Sequence, residues 1–147
     1  MRWTIILIAV VLAALLACQN GITVDDDAAV KDGVFVHIKA GPEDAHSVLM
    51  ALQMAYMMSE DRDVAVYMDI KAVHVFVKDA PDLALEPFPS ARTILDTLLV
   101  REVPVMVCPG CMKVANLELE DLLDGIMLAN KEAFFNFTEG RILTLDY

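Results

Sequence analysis

Two cysteines three positions apart, Cys108 and Cys111, enclose Pro109 and Gly110 and follow directly on the apolar run 103–107. The thiolate is the reactive form of cysteine. A pair at this spacing can cycle between dithiol and disulfide, pass sulfur from one thiol to another, or ligate a soft metal. At a strand end that leads into a helix, unpaired N–H groups and the helix dipole favour the thiolate. Pro109 has no N–H to lose there, and Gly110 permits a tight bend. The motif suits an exposed nucleophile, Cys108, with a second thiol, Cys111, one turn away. A pair of inert thiols or a structural disulfide is the plainer alternative. His46, just after Gly41-Pro42, is a candidate partner, since an imidazolium facing the cysteine loop would stabilise a thiolate. Its plainer reading is a solvated first-turn residue. His37 falls inside an apolar strand and His74 in a segment without a clear period. Glu43 and Asp44 read as first-turn acids that complement a helix dipole. The histidine spacings match no zinc signature, so no metal is expected. Neither a phosphate-binding glycine loop nor a serine nucleophile elbow occurs, and no cofactor is expected.

The elements that would position these residues alternate in type. Apolar runs at 34–38, 64–68 and 103–107 suit buried parallel strands. Between them, a helix is expected from the Gly41-Pro42-Glu43-Asp44 turn to about Ser59. A second follows Ser90, which can cap it, with Ala91, Ile94, Leu95, Leu98 and Leu99 at helical spacing. The first helix is apolar nearly all round because Met50, Met54, Met57 and Met58 join the stripe. Such a helix is covered on more than one side, by core or by a subunit interface. Residues 70–77 fit either a strand extension or an irregular segment, and 78–89 reads as a proline-bearing loop. A short helix should run from Cys111 to a left-handed cap at Asn116. Further short elements are expected at 117–123 (helix), 126–128 (strand), 131–138 (helix) and 141–145 (strand). The pattern implies an α/β fold in three layers, with a mostly parallel five-stranded sheet wound flavodoxin-like. In that order the loops after the first and third strands, at Gly41 and at Cys108, flank the switch point where sites form.

With Val105-Met106-Val107-Cys108, the short helix behind it and the stretch 119–125, residues 33–147 resemble the DsrE-like proteins of sulfur relay. The resemblance implies that Cys108 accepts a persulfide and passes it on, that the chain assembles as a trimer or hexamer, and that it meets a sulfur-donor or redox partner protein. Two departures stand out. Many relay subunits lack a counterpart of Cys111, and the relay proteins are cytoplasmic. A thiol–disulfide redox role for Cys108 and Cys111, or a non-enzymatic module that binds a metal or a partner, remain alternatives.

Residues 1–17 carry one basic residue, Arg2, before an uncharged run that ends Leu15-Leu16-Ala17-Cys18. A basic start and an apolar core closed by small residues form a secretory signal peptide. Its ending resembles a bacterial lipobox, which implies diacylation of Cys18 and a membrane attachment through that lipid anchor. Gln19 after the cysteine implies the outer membrane, facing the periplasm. Residues 18–32, with Asp25-Asp26-Asp27, read as an acidic flexible tether to the domain 33–147. The chain has 22 acidic residues against 11 basic ones, a net charge of −11. That balance argues against nucleic acid as a partner. With Cys18 lipidated, two of the three cysteines remain, too few for a disulfide framework.

Overall fold

A computed structural model describes residues 30–147. The expected signal peptide, the lipidated Cys18 and most of the tether lie outside these residues. Among the described residues no helix is long and apolar enough to cross a membrane.

Five strands form one sheet: β1 (Gly33–Ile38), β2 (Asp63–Met68), β3 (Val105–Val107), β4 (Met127–Leu128) and β5 (Ile142–Asp146). Every pairing is parallel, in the order β4-β3-β2-β1-β5. The expected α/β architecture with a parallel five-stranded sheet is therefore present. Strand alternation decides what each face carries. Val34, Val36 and Ile38 of β1, Val64, Val66 and Met68 of β2, and Val105 and Val107 of β3 share one face and lie in the core. That face is covered by α1 (Ala45–Met58) and α2 (Ala91–Val100). Val48, Leu49, Leu52 and Ala55 of α1 and Ile94, Leu95 and Leu98 of α2 are buried against it. Each such large side chain contributes about 1.5–3 kcal/mol by leaving water.

Both helices start where the sequence places a cap. Ser47 donates from its amide to the Asp44 carboxylate at 3.2 Å and from its hydroxyl at 2.7 Å, so Asp44 is the N-cap of α1. The Ser90 hydroxyl accepts the Thr93 amide at 3.3 Å. The methionines of α1 divide: Met58 is half-buried against the core, Met50 and Met54 are half-buried, and Met57 is 52% exposed.

The opposite face is apolar and aromatic. Ala65 and Met106 are buried there, and Phe35, His37 and Tyr67 are half-buried. Its third layer is thin. The chain leaves β4 at one edge and returns as β5 beyond β1, and on the way Phe134 and Phe137 pack on Phe35 at centroid distances of 5.6 and 6.3 Å. The helix expected at 131–138 is only a 3₁₀ turn, Glu132–Phe134, and that at 117–123 only Leu119–Asp121. Residues 70–77 hold a third such turn, Ala72–His74.

The strand order corrects one expectation. β2 lies between β1 and β3, so the loop after β1 does not flank the cysteine loop. Its neighbour is the turn after β2, at Asp69-Ile70-Lys71. The order reverses instead between β1 and β5.

Candidate functional site

Cys108 ends β3. Its amide donates to the Met68 carbonyl at 2.9 Å, one last rung of the ladder to β2. Its backbone is still extended, and it serves as N-cap to α3 (Pro109–Ala115). Pro109 occupies the first turn, where the missing N–H is no loss. Asn116 closes the helix in the left-handed conformation, φ 54 and ψ 41, as its residue type allows. Gly110 proves less special than its sequence context suggests. Its φ is not in the left-handed region, and a Cβ there would sit 3.8 Å from Cys108 Sγ, an ordinary contact.

The two thiols are free, both partly accessible, and chemically unequal. The Cys111 amide donates to Cys108 Sγ at 3.3 Å. Burial pushes the Cys108 thiol up, but donors outweigh it: the Cys111 thiol and amide, the Tyr67 hydroxyl and the Gly110 amide. Its pKa falls below the ordinary thiol range. Cys111 moves the other way. Burial raises it, and so do the hydrogen bond it gives to Cys108 and the negative charges of Cys108 and Asp69, against a lowering by the Ile70 amide. The pair is thus unequal, with Cys108 the more readily ionised thiol and Cys111 the less.

Tyr67 belongs to this site, and the sequence reading did not include it. It follows from register alone: Tyr67 of β2 pairs with Met106 of β3 and with His37 of β1. Its ring stacks on His37 at 5.4 Å and on Phe35 at 6.1 Å, and meets Phe134 edge-on at 5.0 Å. Held on three sides, it keeps its hydroxyl near Cys108, whose pKa it helps to lower. Burial, then the bond to Cys108, drive its pKa well above the usual phenol value, so it remains a donor. Beside it His37 lies between two carboxylates, with Nδ1 2.8 Å from Asp146 and Nε2 3.0 Å from Asp69. The Asp69 contact is shielded from water and lacks hydrogen-bond alignment. Asp146 also pairs with Lys39 at 2.6 Å.

His46 is not brought to the thiols. It is exposed on the first turn of α1, its ring 5.8 Å from that of Phe88, and it makes no hydrogen bond to either cysteine. The strand order explains this, since α1 follows β1 while the thiols adjoin β2. His74, unassigned in sequence, is exposed beside Cys111 on the wall of a cleft of about 460 Å³. Among the described residues no group of three or more His, Cys, Asp or Glu side chains is arranged to hold a metal.

No family model matches the sequence, and no curated protein matches it. Solved structures do. The chain is similar to the YchN protein from E. coli, with a TM-score of 0.59 at 18% identity, over 79% of this chain and 99% of that one. It is also similar to MTH1491, a protein of unknown function from Methanobacterium thermoautotrophicum, with a TM-score of 0.53 at 11% identity, over 78% and 99%. Both are DsrE-like in fold, and this chain shares that fold.

Proposed function

We propose that this domain handles sulfane sulfur, with Cys108 as its carrier. The observation that supports the reading best is the inequality of the thiols: Cys108 is flanked by three kinds of donor that lower its pKa, while the pKa of Cys111 is raised. In loading, the Cys108 thiolate attacks the outer sulfur of a persulfide or polysulfide donor. The donor's S–S bond breaks, its thiolate leaves, and Cys108 holds a persulfide with no net change in oxidation level. In unloading, an acceptor thiolate takes the outer sulfur and Cys108 leaves as thiolate. At alkaline pH, where Cys111 loses its proton, it attacks the inner sulfur of the Cys108 persulfide, expels hydrosulfide and closes a disulfide, which an external dithiol must reduce. His46 has no part in either step. The test is intact-mass analysis after exposure to polysulfide: one added sulfur on Cys108, absent in Cys108→Ser. No adduct with any donor contradicts the proposal.

A redox role is the second reading, favoured by two free thiols one turn apart, with the Cys111 amide donating to Cys108 Sγ at 3.3 Å. It requires a disulfide that forms and reopens at an oxidoreductase potential. A pair that never closes excludes it.

The setting is part of the proposal. We take Cys18 to be diacylated and the domain to face the periplasm from the outer membrane, with a mass spectrum of the mature chain as the check. Assembly as a trimer or hexamer is proposed on the exposed Met57 of α1 and on Phe135, 65% exposed, beside the thin layer.

A further inference from the structure

The cleft at Cys111 differs from its surroundings in two respects. Its walls are Ile70, His74, Val114 and Ala115, with Lys71 at the rim and Gly110 and Cys111 at the sulfur end. Ile70 is 58% exposed and Val114 86% exposed, in a chain whose net charge is −11. Ile70 is also held at φ 49, in the left-handed region that β-branched residues avoid. A strained backbone of this kind persists where the surroundings enforce it, and such residues cluster at binding sites. Here the strain turns the Ile70 amide onto the Cys111 thiol and leaves the side chain uncovered along the cleft. At about 460 Å³ the space falls within the range of small-molecule sites.

We propose that this cleft receives a small organic persulfide with an uncharged, apolar body. The inference rests on Cys108 being a sulfur carrier, and it names the donor. The apolar body lies on Ile70 and Val114, which places the donor's sulfurs beside Cys111, whose amide contacts Cys108 Sγ at 3.3 Å. The Cys108 thiolate then attacks the outer sulfur, the donor's S–S bond breaks, and the organic thiolate leaves and takes a proton from water. The electrostatics choose the class. An inorganic polysulfide dianion meets walls that are mostly apolar, with His74 as the one polar side chain besides the paired Lys71, and the acidic molecule repels it at long range. The cation at the rim, Lys71, is already paired with Glu43 at 2.6 Å. An apolar body instead gains by covering the exposed aliphatic wall.

The experiment measures the rate at which Cys108 of the full-length chain gains one sulfur, by intact mass. The donors are hexyl persulfide and the persulfide of mercaptosuccinate, at equal concentration, with sodium tetrasulfide as the inorganic control. The expected result is loading from hexyl persulfide about tenfold faster than from the mercaptosuccinate compound. That ratio should fall toward one in Val114→Lys and in Val114→Ser, two changes at a side chain too exposed to endanger the fold. Equal rates from the two organic donors, with Cys108 still loading, overturn the donor assignment and leave the sulfur carrier standing. No loading from any of the three, tetrasulfide included, overturns the carrier itself.

Discussion

At the scale of residues, the account turns on which atoms touch Cys108 Sγ. Thiolate is the nucleophile, so reactivity should follow ionisation. Alkylation of Cys108 should rise with a midpoint below that of an ordinary thiol, and that of Cys111 with a midpoint above it. Site-resolved alkylation across pH by mass spectrometry checks this, and coincident midpoints contradict it. Tyr67→Phe removes one donor and leaves the ring box intact. The Cys108 midpoint should move up, with reactivity at neutral pH reduced about three- to tenfold, the worth of a hydrogen bond to a charged group after partial compensation. The sign for stability follows the same shift. A lowered pKa in the folded state contributes stability above the unfolded thiol's pKa, and that contribution is lost as pH falls through the folded value. Cys108→Ser should therefore cost more in denaturant titrations at alkaline pH than at mildly acidic pH. Of these residues the sequence displays the cysteines, because their types and spacing are chemistry in themselves. Tyr67 was hidden, since a tyrosine in an apolar strand has no signature until β2 is known to lie beside β3. His46 drew notice by type, and the same strand order removes it.

At the scale of elements, turns and caps hold the site more than long helices do. The sequence shows α1 and α2 through period and caps, and Asp44, Ser90 and Asn116 occupy the capping positions their side chains suit. The weaker elements are overcalled as helices at 117–123 and 131–138. There the apolar residues do not sustain a period; Phe134 and Phe137 serve instead to cover a sheet face. Gly125, ahead of β4, has φ 91, and a Cβ there would lie 2.7 Å from Leu99 Cδ1. Gly125→Ala should thus cost about 1–2 kcal/mol, from the left-handed backbone and the contact together. By contrast Gly110→Ala meets only an ordinary contact and should change stability by about 1 kcal/mol or less, in the stabilising direction for a helical position. Urea denaturation of the two variants separates them, and a Gly110→Ala that unfolds the domain would contradict the ordinary geometry assigned to it.

For the whole molecule, one parallel sheet brings residues from β1, β2, β3 and β5 to the same end. His37, Tyr67 and Asp146 come from β1, β2 and β5, and Cys108 directly follows β3. That convergence is a property of the order β4-β3-β2-β1-β5, which apolar runs do not encode; they fix the class of fold and the number of strands, not the sequence of neighbours. The proposed assembly belongs to this scale as well. Sedimentation of the full-length chain in detergent should show a trimer or hexamer, and a monomer at every concentration contradicts it.

The central claim is that sulfur attaches to Cys108 as a persulfide. The most direct measurement exposes the reduced full-length chain to sodium tetrasulfide at neutral pH, then maps the adduct by peptide mass spectrometry. The account expects one added sulfur on the peptide that contains Cys108, retained in Cys111→Ser, removed by dithiothreitol and missing in Cys108→Ser. A chain that gains sulfur only on Cys111, or on neither thiol, would contradict it.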